Sequence, residues 1–248
     1  MKSRIKTIED LSLNAWPSHQ IQVYDGWLLR FSHFYTHRTN SVEQIGPSSI
    51  PFKEKIAYCE EIYEKWGTPA IFKISPLIDS SFDQMLTEQG YKTTHTTEVM
   101  TLDLENYSSG LYNPDVCIEK NISDTWIQEL FQLKGTTNPI HRQIVPSMYR
   151  AIPKDTLAAS VSYNGKTAAI GLGILDRYHI GIYAIHVSPE FRRKHLGCSV
   201  CQAILTEGMK QGAACAYLQV AKGNEPAKRL YSSLGFQNFY TYWFRQQF

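Results

Sequence analysis

Apolar residues along the chain form short runs that polar turn residues interrupt. In the run QIQVYDGWLLRFSHFY at 20–35, Asp25-Gly26 separates two apolar stretches, and Asn164-Gly165 does the same in TLAASVSYNGKTAAIGLGIL at 156–175. An Asp-Gly or Asn-Gly pair between apolar stretches is a signal of a β-hairpin. A third apolar run, HIGIYAIHV at 179–187, predicts a further strand.

Other segments carry apolar residues at the spacing of a helix face. The segment 51–67 begins with Pro51 and ends at Gly67, residues that favour the first and last positions of a helix. In the segment 123–135, Ser123 is the expected N-cap. A third helix is predicted to begin near Leu196 and to end at Gly212.

The chain repeats its own landmarks at one constant offset. The pairs are Val42 and Val187, Gly67 and Gly212, and Gly90 and Gly235. Each half alternates strands and helices, which predicts an α/β (α+β) fold with a mixed β-sheet flanked by helices. The polar stretch ENYSSGLYNPD at 105–115 is the expected linker between the two halves. We therefore expect two related domains, at 1–110 and 111–248.

The composition of the chain argues against several classes of protein. The 248 residues carry a formal net charge of +2, which is too balanced for a nucleic-acid or membrane-surface footprint. No run of 18 or more apolar residues occurs, and the N-terminus lacks the apolar core of a signal peptide. A cytoplasmic protein that binds neither nucleic acid nor membrane is expected, whereas the sequence does not indicate an oligomeric state.

Five cysteines are present, an odd number that argues against a disulfide framework. Cys198 and Cys201 form a C-x-x-C pair, which is found in redox and metal sites. No second C-x-x-C completes a tetrahedral set, so we interpret the pair as two small apolar residues on one helix face and expect no metal.

The turn between the third apolar run and the helix that begins near Leu196 contains residues that indicate ligand binding. Arg192, Arg193 and Lys194 lie in this turn, and the first N–H groups of the helix have no partner within it. The helix dipole adds partial positive charge at the same end. Together these features suit a diphosphate, although a solvated basic turn would also explain the charges.

Two spaced motifs resemble those of the GCN5-related N-acetyltransferase (GNAT) family. The first, V-x-P-[EDQ]-[FY]-[RQ]-x-x-G-x-G, is read here as Val187, Pro189, Glu190, Phe191, Arg192, His195 and Gly197, with His195 in place of the first glycine. The second, N-x-x-A-x-x-L-Y-x-x-x-G-F, is matched by Asn224, Ala227, Leu230, Tyr231, Gly235 and Phe236. The resemblance covers roughly 115–248, and the first half resembles a degenerate copy of the same fold in tandem.

The resemblance implies that acetyl-CoA lies where two parallel strands splay apart. Its pantetheine would pair with the backbone around Ile185, His186 and Val187, and Asn224 would hydrogen-bond along the same arm. The diphosphate would accept N–H groups from Arg193, Lys194, His195, Leu196, Gly197 and Cys198. Tyr231 would protonate the departing thiolate. The co-substrate is thus acetyl-CoA and the acceptor a primary amine: a small molecule, a peptide N-terminus or a lysine-like side chain.

The residue that deprotonates the acceptor amine is not evident. Many family members have glutamate at the position of Gln219, which cannot act as a base. Strand alternation places Tyr183 on the face of Ile185 and Val187, bordering the amine, and places His186 on the other face as a core histidine. The remaining candidates are His141, His33 and His37. A water chain or an acceptor amine of low pKa would serve instead.

Two departures from the family pattern are expected to matter. His195 replaces a family glycine, and a left-handed backbone there would cost about 1–2 kcal/mol. In the first half, Pro51 stands where an N–H is wanted, and Leu86 stands at the position of Tyr231. We therefore expect one acetyl-CoA site per chain, in the second half. A non-catalytic acyl-CoA sensor is the alternative function, favoured by Gln219 and His195.

Overall fold

The computed structural model describes residues 1–108 and 115–248, so the predicted boundary between 110 and 111 lies outside the described residues. The helices are α1 (Lys2–Ala15), α2 (Phe52–Lys65), α3 (Ser80–Glu88), α4 (Asp124–Lys134), α5 (Pro139–Arg150), α6 (Leu196–Lys210) and α7 (Glu225–Ser233). Within the described ranges, no helix is both long and apolar enough to cross a bilayer.

One mixed sheet runs through the whole molecule. Its strands are β1 (Gln20–Tyr24), β2 (Trp27–Phe31), β3 (Val42–Gln44), β4 (Ile71–Ile74), β5 (Lys92–Asp103), β6 (Cys117–Glu119), β7 (Asp155–Tyr163), β8 (Lys166–Asp176), β9 (His179–Val187), β10 (Cys215–Ala221) and β11 (Gln237–Gln246). The spatial order is β1-β2-β3-β4-β11-β5-β10-β9-β8-β7-β6. In the second half, α6 packs on one face of the sheet, and α4 and α5 pack on the other. This is the predicted mixed sheet flanked by helices.

Both predicted hairpins are confirmed. Asp25 and Gly26 join β1 to β2 with φ of 42° and 76°, and Asn164 and Gly165 join β7 to β8 with φ of 51° and 74°. Positive φ at both central residues is the two-residue turn whose twist matches that of paired strands.

The predicted helix ends are confirmed as well. The Ser123 hydroxyl accepts the Trp126 N–H at 3.2 Å, which caps α4, and Gly135 ends that helix with φ of 63°. The helix α2 begins directly after Pro51. Sequence reasoning did not identify α1, because its apolar residues stand in a segment that has no cap signal.

The internal repeat is confirmed by the element bounds. Helix α3 begins at 80 and α7 at 225, and strand β5 begins at 92 and β11 at 237, so both pairs share an offset of 145 residues. The sequence did not indicate which strands pair with the final strand of each half. β11 from the second half pairs with β4 of the first, and β5 from the first half pairs with β10 of the second. The two halves therefore exchange their last strands, and their division into domains at 1–110 and 111–248 stays a prediction.

A buried ion cluster lies at this exchange. The Lys73 ammonium on β4 is 2.7 Å from Glu9 of α1 and 3.5 Å from Glu43 of β3. It also lies 4.5 Å from the ring centre of Tyr242 on β11, and the Tyr240 hydroxyl donates to Glu9 at 2.6 Å. Burial opposes the charged form of Lys73, but the two carboxylates raise its pKa above the usual range. The cluster thus ties four elements from both halves together.

Replacing Lys73 by methionine should destabilise the whole fold, because two buried carboxylates lose their counter-charge. We expect the free energy of unfolding to fall by about 3–5 kcal/mol, measured by urea denaturation. The matched control is Lys65→Met, which removes an exposed ion pair with Glu61 and should leave the midpoint unchanged. Equal midpoints for the two variants would contradict the role assigned to the cluster.

Candidate functional site

Strands β9 and β10 part halfway along their length. They pair in parallel only from His179 opposite Cys215 to Ile182 opposite Leu218. Beyond that point β9 continues to Val187 beside β8, while β10 continues to Ala221 beside β5. A wedge-shaped gap therefore opens between the carboxyl ends of two neighbouring parallel strands.

A β-bulge at Ala184 marks the place where β9 turns away. Ala184 has φ of 51°, and the register with β8 shifts between Leu172 opposite Tyr183 and Ile170 opposite His186. An extra residue on one strand increases its local twist and bends it. The bulge is the local cause of the separation from β10.

The bulge also corrects the predicted faces of β9. Ile185 and Val187 pack with α6, whereas Tyr183 and Ala184 pack in the cluster formed by α4 and α5. The prediction that Tyr183 shares a face with Ile185 and Val187 was wrong, because simple alternation does not survive an inserted residue. Tyr183 and His186 instead face the same side of the sheet.

The amino end of α6 lies next to this gap. A Cβ added at Gly197 would stand 2.8 Å from Leu230 of α7 and 3.4 Å from Val187 of β9, so glycine allows the close approach. Among the described residues, no backbone or side-chain acceptor takes the N–H groups of Arg193 to Cys198. Unpaired amides at the amino end of a helix, together with the helix dipole, have the chemistry that an anion requires, and we call this place the anion corner.

The turn before α6 carries backbone strain. His195 has φ of 56° and Arg193 has φ of 61°, so both lie in the left-handed region. The expectation that the family glycine marks a left-handed position therefore holds for His195. The side chains of Arg192, Arg193 and Lys194 are exposed and have no carboxylate partner among the described residues. Lys194 lies over the ring of Phe191, 5.3 Å from its centre.

A cavity of about 230 Å³ continues from the gap toward the first half of the chain. Five residues singled out from the sequence line it: Tyr183, Ile185, His186, Gln219 and Tyr231. A second cavity of about 340 Å³ adjoins it and shares Gln219 in its lining. The structure thus brings the two strands, α7 and the first half around one space.

Tyr231 reaches the cavity from α7. Its hydroxyl donates to no described residue, and its ring packs against Phe236 and the core beneath α6. Burial raises the pKa of Tyr231 well above its usual range. The phenol is therefore protonated at neutral pH, as a proton donor must be.

Gln219 is held by both halves of the chain. Its amide oxygen accepts from Arg38 at 3.1 Å and from the Tyr242 hydroxyl at 2.9 Å, and its amide nitrogen donates to Ser12 at 2.7 Å. This network fixes the side chain that occupies the position of the family glutamate.

His186 is half-buried and lines the cavity, where we had expected an ordinary core histidine. Burial and the nearby charge of Lys134 lower its pKa to about 4, so it is neutral at pH 7 and a weak base. Tyr183 donates to or accepts from Tyr217 at 2.7 Å, and burial raises the pKa of Tyr183 to about 12.

The other candidate histidines do not line the first cavity. His141 lies behind Tyr35, with ring centres 4.9 Å apart, and His33 packs against His19. His37 lines the second cavity and is hydrogen-bonded to Gln246 at 2.9 Å. Asn224 is exposed at the start of α7, where its side chain accepts the Ala227 N–H at 3.3 Å and caps the helix.

Several lining residues were missed because they come from distant segments. These are Trp16, Tyr35, Thr36, Arg38, Lys134 and Tyr149. No periodicity or motif distinguishes them in the sequence. Arg30 positions two of them, because its buried guanidinium donates to the carbonyl oxygens of Trp16 and Arg38.

The corresponding corner of the first half is already filled. The Asp25 carboxylate accepts the N–H groups of Ser49 and Ile50 at 2.9 and 2.8 Å and the Ser48 hydroxyl at 2.6 Å. These bonds hold the pKa of Asp25 well below its usual range. A protein carboxylate thus occupies the amides that precede α2, next to Pro51.

The C-x-x-C pair lies in the packed part of α6. Cys201 is buried, Cys198 packs against the same core, and burial raises the pKa of both thiols. In the described ranges, no group of three or more His, Cys, Asp or Glu side chains is arranged to hold a metal ion.

Comparison with known proteins agrees with this geometry. The family model described as "Probable histone acetyltransferase Rv0428c C-terminal" matches residues 2–244. An uncharacterized N-acetyltransferase, YobR of Bacillus subtilis, is 28% identical over 235 residues, which are 94% of each chain. A ribosomal protein bS18-alanine N-acetyltransferase of Escherichia coli is 33% identical over 76 residues, 31% of this chain and 51% of that enzyme.

Solved structures share the fold. A GCN5-related N-acetyltransferase from Kribbella flavida superposes with a TM-score of 0.72 at 14% identity, covering 98% of this chain and 94% of that one. A tandem GNAT protein from the clavulanic acid biosynthesis pathway has a TM-score of 0.65 at 13% identity, covering 83% and 74%. With a family model that spans nearly the whole chain, the resemblance carried by two short motifs is confirmed: the chain belongs to the GCN5-related N-acetyltransferase family and is a GNAT-type acetyltransferase.

Proposed function

We propose that the chain transfers an acetyl group from acetyl-CoA to a primary amine by direct attack in a ternary complex. The observation that carries this proposal is the gap between β9 and β10, which leaves one edge of β9 beyond Ile182 without a strand partner. An extended pantetheine arm can pair with such an edge as an added strand does. Ile185, His186 and Val187 lie along it.

The corner before α6 supports the placement of the diphosphate. The N–H groups from Arg193 to Cys198 are free of protein acceptors among the described residues, and the basic turn adds positive charge. The Asn224 side chain uses its oxygen to cap α7, so its amide N–H groups are available to the pantetheine. The residues present therefore fit the co-substrate that the family implies.

Tyr231 is the proposed general acid. The neutral amine attacks the thioester carbonyl carbon, a C–N bond forms, and the C–S bond breaks. The leaving thiolate takes the Tyr231 hydroxyl proton, and the proton lost by the nitrogen restores the phenol through solvent. Its raised pKa keeps Tyr231 protonated before the reaction.

The acceptor must arrive in its neutral form. No carboxylate lines either cavity among the described residues, and a histidine with a pKa of about 4 is a weak base. We infer that the fraction of neutral acceptor amine sets the rate below its pKa. Positioning of that amine against the thioester then supplies much of the acceleration.

The same proposal includes one acetyl-CoA per chain, in the second half, since Asp25 fills the corresponding amides of the first. The first half, 1–110, would serve as a degenerate module that supplies part of the acceptor pocket, and 111–248 as the catalytic module. A cytoplasmic location is part of it too, since all five cysteines are free thiols, which reducing compartments maintain.

Changing Tyr231 to phenylalanine should lower kcat while the KM for acetyl-CoA changes little, because only the proton donor is lost. A thiolate is a good leaving group, so we expect a loss of about 10²-fold, the low end for general acid catalysis. The measurement is thiol release from acetyl-CoA with a panel of amines. Tyr178→Phe, which alters an exposed hydroxyl, is the control. If the Tyr231 variant reacts at the wild-type rate, Tyr231 is not the general acid.

The pH dependence should follow the acceptor. Because the amine is reactive only when neutral, log kcat/KM should rise with pH and level off near the amine's own pKa. That is about 7.8 for an α-amine and about 10.4 for a lysine-like amine. The measurement is the pH profile of kcat/KM for two acceptor amines of different pKa. If both profiles have their inflection at the same pH, the titrating group is a base on the enzyme and not the acceptor amine.

A further inference from the structure

Two cations, Arg38 and Lys134, and no carboxylate stand among the described residues that line the cavity between the two halves. Arg38 and Lys134 border the cavity that starts at the gap, and Arg38 also borders the adjoining one together with His37 and His95. Neither lining contains an aspartate or glutamate among the described residues. A site with this charge favours an anionic group and repels a cation.

Arg38 has no acidic partner in the part of the chain that the structure describes. Its guanidinium donates to Gln219 at 3.1 Å, and no carboxylate of a described residue lies within 4.0 Å. An arginine presents five N–H donors, so most of them have no acceptor in the described protein. Its charge is nevertheless felt in the site, since it lowers the pKa of Tyr183 and Tyr149 against the effect of burial.

The position of Arg38 is fixed by the first half. The buried Arg30 guanidinium bonds to the Arg38 carbonyl oxygen. The Asn40 side chain accepts the N–H groups of Ser32 and Phe34 at 2.7 and 3.0 Å, which orders the rest of the loop. These bonds order the backbone that carries Arg38, and the bond to Gln219 orients its guanidinium, so less entropy is lost when an anion binds.

Lys134 extends the same charge to the rim. Its ammonium donates to the Tyr35 hydroxyl at 2.9 Å, and it lowers the pKa of His186. An anion bound by Arg38 neutralises that charge, but Lys134 would still lower the pKa of a bound ammonium group near it, which raises the neutral fraction. The charge of Lys134 therefore helps the reaction that we propose.

We propose that the acceptor is a small amine that also carries an anionic group, carboxylate or phosphate, and that Arg38 binds this group. This inference rests on the proposed function. The two cavities have volumes of about 230 and 340 Å³. The first lies below the usual range for ligand pockets and the second at its low end, which favours a small molecule over a protein segment. With its amine neutral, such an acceptor carries a net negative charge that the positively charged site attracts, whereas a simple neutral amine gains no such attraction.

Matched acceptors test the proposal with the full chain and acetyl-CoA. The carboxylate series compares amino acids with their primary amides, and the phosphate series compares phosphoethanolamine with ethanolamine. Rates of thiol release are expressed per neutral amine. In one series, at least, the anionic member should have a kcat/KM about tenfold to a hundredfold higher, the range of a charge-assisted hydrogen bond. The series that shows the preference identifies the anion.

Variants test whether Arg38 is the source of the preference. Arg38→Met should bring the ratio of anionic to neutral acceptor close to one, and Arg38→Lys should retain part of it. The control is Arg150→Met, which removes an exposed arginine paired with Asp124 and should keep the wild-type ratio. Acetyl-CoA binding by calorimetry shows that each variant is folded.

The outcomes separate this inference from the proposed function. If acetyl-CoA binds but neutral amines or peptide N-termini react as well as anionic amines, the inference is overturned and the proposed function stands. It is overturned too if the preference survives Arg38→Met, or if no small amine reacts. If acetyl-CoA does not bind to the wild-type chain, the proposed function itself fails.

Discussion

The exchange of final strands between the two halves is the constraint on which the site depends. β10 is paired with β5 along its whole length, from Cys215 to Ala221, so it cannot follow β9 when β9 bends. β9 is in turn bound to β8 as far as Val187. Because β9 is hydrogen-bonded to β8 and β10 to β5, the bulge at Ala184 opens a gap between β9 and β10 and does not displace the sheet. A strand edge without a partner among the described strands therefore results from competing backbone pairings.

The same exchange brings the first half to the inner end of that gap. Gln219 of β10 is bonded to Ser12 of α1, to Tyr242 of β11 and to Arg38. These partners come from both halves, and the nearby Lys73 cluster fixes α1 and β11, which carry Ser12 and Tyr242. The first half, whose own anion corner is filled by Asp25, thus contributes a wall of the cavity while the second half contributes the strands and the helix amides.

Local features of the fold could be predicted because their causes are local. The turns at Asp25-Gly26 and Asn164-Gly165 need positive φ, and the caps at Ser123 and Gly135 satisfy helix ends from adjacent residues. For the site, the motifs indicated the α6 amides and Tyr231, but alternation misplaced Tyr183 because a bulge inserts a residue without any sequence signal. The lining residues Arg38 and Lys134 lie in segments without a motif, and neither could be predicted.

By itself, the sequence determined both hairpins, the helices with cap signals, the repeat at one offset and the basic turn before α6. Except for the repeat, each of these follows from residues close together in the chain. Only the tertiary structure decided the order of the strands in the sheet, the point at which β9 separates from β10, and the charged residues that line the cavity. Those outcomes depend on contacts between residues far apart in the chain, such as Arg38 with Gln219, whose pairing is set by the packing of the whole sheet.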